Sequence, residues 1–430
     1  MTNADLMQDC QLTPYWWDQT PRPDLPQEPL PSKIDVLVVG AGYTGLHAAL
    51  QTARGGRSTL VVDAEDAGWG CSSRNGGQVS TSIKPSFEQL SKRHDAQRAF
   101  DILKEGQHSL KFIADFIREE NIDCDFANVG RFHAAHNAKQ FELLAKRVTH
   151  QPKGLEVEAH VVPRAEQRTE LGTDAYFGGV VYEGHCSVSP ARYHQGLLER
   201  VLAAGAQVAT RCPALSIQKQ GELFQVTTSR GVVLARDLVI ATNGYTSKLT
   251  PWLQRRVIPI GSYMIATDVL PQELMDKLMP KNRIASDTRK VVYYYRPSPD
   301  RKRILFGGRV SFNETDPRVS GPKLHADLVQ LFPELATTRI SHSWSGFVAY
   351  TFDELMHVGV HEGMHYAMGY CGAGVGTSSY FGMRIGQQVL GLAEGRTALN
   401  GLTMQTRPFY TGNPWFLAPS IRYYRWRDSL

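Results

Sequence analysis

The chain has 430 residues, more than a single hydrophobic core usually holds, so we expect two domains or subdomains. Hydrophobic residues make up 42% of the chain and charged residues 21%, which is typical of a globular protein and excludes extensive disorder. The net charge of +5 is carried by scattered Lys and Arg residues, so the composition argues against nucleic acid as a partner.

The cysteines and the hydropathy pattern indicate in which cellular compartment the protein is expected. The chain contains six cysteines: Cys10, Cys71, Cys124, Cys186, Cys212 and Cys371. They form no CxxC pair, and a chain of this length does not need disulfides. Residues 1–30 have no apolar segment of the kind found in signal peptides, and no run of ~18 apolar residues could span a bilayer. We therefore expect a cytoplasmic protein with reduced thiols and no membrane partner.

Residues 1–33 are rich in proline and precede the first predicted strand. They contain six prolines between Pro14 and Pro31, together with the aromatic run Tyr15-Trp16-Trp17. We predict an extended arm whose aromatic rings pack on the body of the protein.

A strand, a glycine loop and a helix are predicted over residues 34–54. Ile34–Val39 is apolar apart from Asp35, as in a strand that is buried on both faces. The predicted helix Gly45–Arg54 carries its apolar residues on one face, and a second apolar strand, Ser58–Asp63, follows it. This order predicts a βαβ nucleotide-binding unit.

The glycines of this loop match a dinucleotide site. Gly40 permits a tight turn, Gly42 lets the backbone approach a pyrophosphate, and Gly45 allows close packing of helix on strand. The N–H groups at the helix N-terminus would bind the phosphates. Asp63 ends the second strand, where a carboxylate would accept hydrogen bonds from the ribose hydroxyls. These features predict a dinucleotide but do not distinguish FAD from NAD.

Two later segments favour a flavin. The apolar strand Leu238–Ala241 leads into a turn of small residues, and the glycine-rich segment Gly369–Thr377 precedes a helix predicted at Ser378–Leu392. Backbone N–H groups at that helix N-terminus would stabilise the negative charge that a flavin gains on reduction. An NAD site there is disfavoured, because Glu394 lies within or just after the helix rather than at a strand end.

The loop Gly68–Gln78 follows the second strand directly and should lie near the cofactor. Ser72 and Ser73 could hydrogen-bond phosphates, and Arg74 could face a phosphate or the flavin. Cys71 could form a covalent flavin link or be a neighbouring thiol. An ordinary polar loop is the structural alternative.

Helical and β-rich segments alternate along the rest of the chain. Helical periodicity extends over residues 86–119, and further helices are predicted at Pro190–Leu202 and Lys323–Leu331. Short strands bounded by turns dominate the remaining segments. They include Val257–Ala266, Val291–Arg296, Ile304–Gly308, Ile340–Trp344, Met356–Val360 and Met364–Met368.

We therefore predict domains that are discontinuous in sequence. The predicted divisions are an arm (1–33), a FAD-binding domain (34–123, 184–255 and 345–400), a substrate domain (124–183 and 256–344) and a C-terminal tail (401–430).

Two motifs resemble a known enzyme family. Asp35–Leu46 and Gly70–Gln78 closely resemble the D-amino-acid-oxidase/glycine-oxidase superfamily of FAD enzymes and, within it, the gamma-glutamylputrescine oxidase-like branch. The resemblance covers almost the whole chain and continues through residues 184–190, 241–245, 295–300, 306–309, 344–346, 353 and 369–376. It implies an α/β fold of glutathione-reductase type, with a Rossmann-like FAD domain and a β-rich substrate domain.

The resemblance also implies which residues contact FAD. These are Gly40, Gly42, Tyr43, Thr44, Gly45, Asp63, Ala64, Ser72, Ser73, Arg74, Asn75, Gly76, Gly77, Gln78, Ala214, Ala241, Thr242, Gly244, Gly372, Gly374, Val375, Gly376 and Thr377. Ala214 stands at the adenine-side position, which is often valine in the family.

The implied activity is oxidation of a C–N bond in a small-molecule amine. A hydride passes to flavin N5, the imine hydrolyses, and dioxygen is the expected acceptor, giving hydrogen peroxide. A dehydrogenase that uses another electron acceptor is the alternative.

Such a reaction needs an apolar, aromatic pocket more than acid–base groups, because desolvation keeps the amine neutral. For this lining we expect Tyr263, Tyr293, Tyr295, Trp344 and Tyr370, with Arg309 or Arg296 available for a substrate carboxylate. Core packing is the alternative for each aromatic residue, and an ion pair or flavin contact for each arginine.

A zinc-protease pattern also occurs in the sequence, at His361-Glu362-Gly363-Met364-His365, four residues after His357. Zinc chemistry would require this segment to be a helix. Its glycines and flanking apolar runs instead predict two strands joined by a turn at Glu362-Gly363, in which histidines four residues apart would be ~13 Å from each other. We therefore predict no metal.

Overall fold

The computed structural model describes residues 2–308 and 316–428. Arg309 lies outside these residues. The strands are β1 (Lys33–Val39), β2 (Thr59–Val62), β3 (Gln78–Val79), β4 (Arg131–Ala134), β5 (Ala159–Val162), β6 (Gly179–Tyr182), β7 (Cys186–Ser187), β8 (Gln207–Ala209), β9 (Ala214–Gln220), β10 (Leu223–Thr228), β11 (Gly231–Ile240), β12 (Ile258–Thr267), β13 (Ile284–Asp287), β14 (Tyr294–Pro297), β15 (Ile304–Gly308), β16 (Ile340–Tyr350), β17 (His357–His361) and β18 (Met364–Met368).

Helices cover both sheets. They are α1 (Asn3–Leu6), α2 (Trp16–Gln19), α3 (Tyr43–Arg54), α4 (Cys71–Arg74), α5 (Phe87–Arg93), α6 (Ala96–Glu119), α7 (Ala138–Thr149), α8 (Pro190–Ala203), α9 (Pro251–Gln254), α10 (Gln272–Leu278), α11 (Pro317–Leu331), α12 (Gly374–Val389) and α13 (Leu417–Asp428). In the part of the chain that the structure describes, no helix is both long enough and apolar enough to cross a membrane.

The first sheet, sheet I, contains the predicted nucleotide unit. Its strands lie in the order β17-β18-β11-β1-β2-β8, and β9 and β10 extend it beside β11. β1 is parallel to β2 and to β11, and β2 is parallel to β8. Because both faces of β1 are covered, Leu37 and Val38 are fully buried, which explains the continuous apolar run. The predicted βαβ unit is confirmed.

The second sheet, sheet II, has the order β16-β12-β15-β14-β13-β4-β6-β5 and is antiparallel except where β13 runs parallel to β4. It confirms the expected β-rich region. β16 extends six residues beyond the predicted end at Trp344, so the predicted domain boundary at 344/345 falls inside this strand. The division into domains stays a prediction.

Among the predicted helices whose limits differ in the structure are those at 86–119 and 378–392. The helical stretch at 86–119 is divided into α5 and α6, because Ser86 and Asp95 each cap the start of a helix. The predicted helix at Ser378 begins four residues earlier, at Gly374. This earlier start brings its N-terminus next to the glycine turn.

The N-terminal arm packs on the loop Gly68–Gln78. Trp16 is almost fully buried and its Nε1 donates to the carbonyl of Asn75 at 2.9 Å, while Nε1 of Trp17 donates to Oγ of Ser73 at 2.7 Å. The predicted packing of the rings is therefore confirmed. The arm is not wholly extended, since it contains the short helices α1 and α2.

The closest packing in sheet I occurs between α3 and the end of β1, and it generates a first prediction. A Cβ atom on Gly45 would lie 1.8 Å from the carbonyl oxygen of Gly40, whereas nothing lies within 4 Å of a Cβ on Gly184. We expect Gly45→Ala to lower the free energy of unfolding by about 3 kcal/mol, since backbone must move to admit the methyl group.

The control Gly184→Ala should change stability by less than about 0.5 kcal/mol. Urea unfolding of both variants, followed by circular dichroism, measures the difference. Equal stabilities would show that α3 does not depend on this contact.

Candidate functional site

The loop between β1 and α3 holds its backbone open at one end of sheet I. Gly40 has φ = +111°, a conformation that suits glycine, and a Cβ there would lie 2.9 Å from the carbonyl oxygen of Ala241. Gly42 precedes the first turn of α3 without a side-chain cap, and the N–H of Tyr43 donates to Oγ of Ser72 at 3.0 Å. The start of α3 therefore presents backbone N–H groups, as an anion site requires.

Asp63 follows β2 and lies beside this loop. Its Oδ2 accepts from the N–H of Ala41 at 2.6 Å, and its Oδ1 accepts from the N–H of Glu65 at 2.9 Å. Burial raises the pKa of this carboxyl group above its usual value, although both hydrogen bonds oppose the shift. The side chain lines the cavity described next, where the sequence predicts a ribose.

A cavity of about 2220 Å³ extends from this loop to one face of sheet II. Sites for drug-sized ligands are usually no larger than roughly 1,000 Å³, so the volume admits a dinucleotide together with a second small molecule. Of the predicted cofactor residues, the following line the cavity: Gly40, Gly42, Tyr43, Thr44, Asp63, Ala64, Ser72, Arg74, Asn75, Gly76, Gln78, Ala214, Ala241, Thr242, Gly372, Gly374 and Val375.

Six predicted cofactor residues do not line the cavity. They are Gly45, Ser73, Gly77, Gly244, Gly376 and Thr377. Gly45 and Gly77 are needed for close packing, since a Cβ on Gly77 would lie 2.1 Å from the carbonyl oxygen of Val188, whereas a Cβ on Gly376 would lie at an ordinary 3.4 Å from that of Ser109. Oγ of Ser73 donates to the carbonyl of Gly68 and accepts from Trp17. For these residues the structure replaces the predicted contact with a supporting one.

Arg74 is fixed within the loop Gly68–Gln78. Its Nε donates to the carbonyl of Trp69 at 2.6 Å and its Nη1 to that of Ser345 at 3.1 Å. The guanidinium carbon lies 4.4 Å from the ring centre of Trp69 and 4.7 Å from that of Trp17. The arm and β16 thus hold this charge at the wall of the cavity.

Cys71 lies at the same wall. Its Sγ donates to the carbonyl of Phe347 at 2.5 Å and lies 3.6 Å from the hydroxyl of Tyr245. Burial raises the pKa of the thiol, so the reactive thiolate is disfavoured. This environment favours the neighbouring-thiol alternative over a covalent link.

The N-terminus of α12 also lines the cavity, next to the start of α3. Gly372 turns the chain with φ = +96°, and Ala373 begins the helix without a side-chain cap. The hydroxyls of Tyr370 and Thr44 lie 2.6 Å apart, which joins this turn to α3. Two helix N-termini therefore converge on one cavity, an arrangement that fits the pyrophosphate and the reduced ring of FAD.

Three of the predicted pocket aromatics pack elsewhere. Tyr263 and Tyr295 are buried in the core behind sheet II, and Trp344 is buried where its Nε1 donates to the carbonyl of Arg74 at 2.8 Å. None of the three lines the cavity, so the prediction that they do is wrong. Of the five predicted catalytic residues, Tyr370 alone lines the cavity in the described part of the chain, and Arg309 lies outside that part.

On β12 and β14, the residues that face the cavity are the immediate sequence neighbours of the predicted ones. Tyr294 and Met264 line it, both aligned with Gly307 on the strand between them. The hydroxyl of Tyr294 lies 2.7 Å from Oγ of Ser262. Neighbouring residues of a strand point to opposite faces, so an error of one residue exchanges core and pocket.

The two remaining pocket candidates serve the structure. Tyr293 packs on the core of sheet II. Nη1 of Arg296 donates to the carbonyls of Gly77 at 3.1 Å and Val188 at 2.9 Å, and burial lowers its pKa to about 10. Arg296 does not line the cavity and therefore fixes the loop rather than a substrate.

The HExxH pattern lies in a hairpin, as predicted. His361 ends β17, Glu362 and Gly363 form the turn with positive φ, and Met364 begins β18. The ring of His361 stacks on Trp252, with centroids 3.9 Å apart. Among residues 2–308 and 316–428, no group of three or more His, Cys, Asp or Glu side chains is arranged to hold a metal ion.

Comparisons with known proteins agree with this geometry. The model of the DAO family, described as FAD dependent oxidoreductase, matches residues 35–388. A probable oxidoreductase OrdL of Rhizobium meliloti (strain 1021) is 31% identical over 96% of this chain and 97% of its own length. The gamma-glutamylputrescine oxidoreductase of Escherichia coli (strain K12) is 30% identical over 92% of this chain and 93% of its own.

A solved structure shares the fold. The crystal structure of glycine oxidase from Geobacillus kaustophilus superposes with a TM-score of 0.73 at 18% identity, covering 89% of this chain and 99% of that one. The two-sheet architecture is therefore that of this family of folds.

The position of Asp63 generates the second prediction. Asp63→Asn preserves the size of the side chain but removes the charge that would hold the ribose hydroxyls. We expect the dissociation constant for FAD to rise about tenfold to a hundredfold, the usual value of hydrogen bonds to a charged group. Glu65→Gln, which changes the next exposed acid of the same turn, should have little effect.

Titration of FAD into the apoprotein, followed by the quenching of FAD fluorescence, measures both constants. Equal affinities in the two variants would contradict the assignment of Asp63 to the ribose.

Proposed function

This chain belongs to the DAO family of FAD-dependent oxidoreductases, and we propose that it oxidises a C–N bond of a primary or secondary amine. An amine-containing acid or a gamma-glutamylated amine is the proposed substrate class. The name of the Escherichia coli relative, gamma-glutamylputrescine oxidoreductase, supports this class. Bound FAD would supply the group that accepts a hydride from the carbon bearing the neutral amine.

The observation that carries the proposal is that one cavity joins the dinucleotide loop to the part of sheet II formed by β12, β14 and β16, whose lining residues are uncharged. Gly40 and Asp63 line one part of it, and Met264, Tyr294 and Phe347 line another. An amine against the latter side chains would lose most of its hydration, which lowers its pKa and favours the neutral, reactive form. Orientation of the substrate, rather than a dedicated base, would then account for the rate.

Two further features support amine oxidation at the part of the cavity lined by β12, β14 and β16. The paired hydroxyls of Tyr294 and Ser262 offer a hydrogen bond that could orient the amine. The C-terminal segment contributes Leu417, Ser420 and Tyr424 to the cavity wall, next to the half of the cavity formed by β12 and β16. This segment would limit the access of water to the substrate.

We propose dioxygen as the electron acceptor and hydrogen peroxide as its product. Oxidation of the C–N bond gives an imine, which water then hydrolyses. A dehydrogenase with another acceptor would reduce the flavin equally well but would produce no peroxide.

Anaerobic mixing tests the reaction. The purified protein should absorb near ~450 nm because of bound flavin, and an amine substrate should bleach that band. We expect bleaching by gamma-glutamylputrescine or a related amine, and peroxide when air is admitted. Failure of every amine, amino acid and N-methyl compound to bleach the flavin would contradict the proposed function. Bleaching without peroxide would contradict dioxygen as the acceptor.

The alternation on β14 provides a third prediction with an internal control. Tyr294→Ala should lower kcat/KM for the best amine by about tenfold or more, a loss of roughly 1.4 kcal/mol in transition-state stabilisation. Tyr295→Phe should change it less than about twofold, because the Tyr295 hydroxyl makes only a long 3.4 Å contact, with Tyr176, in the core. Steady-state kinetics of both variants measures the ratio. A larger loss of kcat/KM in Tyr295→Phe than in Tyr294→Ala would show that Tyr295 lines the pocket.

A further inference from the structure

Arg131 on β4 is a half-buried cation at the wall of the cavity. Its Nη1 donates to Oγ of Ser82 at 3.2 Å, and its guanidinium carbon lies 5.2 Å from the ring centre of Tyr182. Its Nε is buried and has no hydrogen-bond partner among residues 2–308 and 316–428. Within those residues no carboxylate forms an ion pair with it. Burial of a guanidinium in this way is costly unless an anion accompanies it.

Two neighbouring arginines are each paired with carboxylates of the protein. Arg283 pairs with Glu170 at 2.6 Å and with Glu183 at 2.9 Å, and Arg289 pairs with Asp287. Each of these charges is neutralised within the protein. Arg131 is different, because no carboxylate among the described residues pairs with it. Its charge is therefore available to an anionic ligand that enters the cavity.

A second buried donor lies beside it. Nε2 of His185 accepts from the N–H of Thr81 at 3.4 Å and lies 3.2 Å from Oγ1 of Thr81, which favours the tautomer that carries its proton on Nδ1. Nδ1 is buried and has no partner among the described residues. Burial, with Arg131 close by, holds the pKa of His185 well below its usual value, so the ring is neutral and Nδ1 donates. Arg131 and His185 both line the cavity, and Nε of Arg131 and Nδ1 of His185 have no hydrogen-bond partner among the described residues.

Most other titratable groups near Arg131 are basic, and the carboxylate of Asp287, which also lines the cavity, is paired with Arg289. Lys84, His133 and Arg147 line the same part of the cavity. Burial and the charge of Arg131 lower the pKa of His133 to about 3, so His133 is neutral. The local field therefore favours an anion, and a carboxylate could accept from Nε of Arg131 and Nδ1 of His185 together.

The strand register sets the distance from this wall to the proposed reaction face. Tyr294 pairs with Ser286, and Ser286 pairs with His133 on β4, so two strand spacings separate β14 from β4. At the usual spacing this is about 10 Å. Arg131 lies two residues from His133, on the same face of β4.

We propose that Arg131 and His185 bind the carboxylate of an elongated amine, whose reacting carbon lies about 12 Å away beside Tyr294, since the two-residue offset along β4 adds to the two strand spacings. This inference rests on the proposed oxidation of an amine in the same cavity and specifies the substrate class. The substrate is a chain with an amine at one end and a carboxylate at the other. Arg131 is then a specificity residue and takes no part in the hydride step.

Octanoate tests the subsite without turnover, because it carries the carboxylate on a chain of suitable length and has no amine to oxidise. It is titrated into the FAD-bound protein, and binding is followed by the flavin difference spectrum and by calorimetry. We expect saturable binding, with the dissociation constant raised at least about tenfold in Arg131→Gln and by less in Arg131→Lys. Arg131→Gln should fold normally, since it removes a buried charge that has no partner.

Arg147→Gln is the matched control, since Arg147 is basic, lines the same wall and is exposed. It should change octanoate affinity by less than about threefold, the effect of a screened surface charge. Equal losses of octanoate affinity in Arg131→Gln and Arg147→Gln would overturn direct binding by Arg131, because they would show that only the overall positive charge of the wall attracts the anion. Absence of octanoate binding, or unchanged affinity in Arg131→Gln, would also overturn it.

Kinetics separate this inference from the proposed function. The ratio of kcat/KM for 8-aminooctanoate to that for octylamine should fall at least about tenfold in Arg131→Gln. An unchanged ratio, with both amines oxidised, overturns the carboxylate subsite and leaves amine oxidation intact. If neither amine nor any other reduces the flavin while octanoate binding still depends on Arg131, the proposed function fails and the anion subsite stands.

Discussion

The close contact between α3 and the end of β1 is the constraint on which the cavity depends. Gly45 brings the helix so near to Gly40 that no side chain fits between them. This approach aims the backbone N–H groups of the first turn at the space beside Asp63. The neighbouring wall is formed by the early start of α12 at Gly374, and the hydroxyls of Tyr370 and Thr44 join the turn before α12 to α3. We propose that the cofactor binds beside these two helix N-termini.

Much of the dinucleotide end could be predicted from the sequence, because local spacing determines it. A buried strand, glycines at 40, 42 and 45 and an acid at the next strand end are all contained within one βαβ unit. The packing and hydrogen bonds of Ser73 and Gly77 could not be predicted in the same way. Their neighbours, Trp17 and Val188, are distant in sequence and meet them only in the folded chain.

The pocket face of sheet II could not be assigned from the sequence. β14 is almost entirely buried and consists of bulky residues, so it gives no alternation from which to choose a face. Tyr293, Tyr294 and Tyr295 are chemically alike, and only pairing with β13 and β15 decides that Tyr294 faces the cavity. Arg131 was missed for a related reason: its charge is ordinary in sequence, and its lack of an acid partner is visible only in three dimensions.

The account gives the cavity two ends with different chemistry, the helix N-termini for the dinucleotide and the sheet II face with its basic wall for the substrate. A crystal structure of the FAD-bound protein tests this most directly. It should show the pyrophosphate at the first turn of α3 and the isoalloxazine ring between α12 and the side chains of Tyr294 and Met264. A ring lying away from Tyr294, or an adenine in its place, would contradict the account.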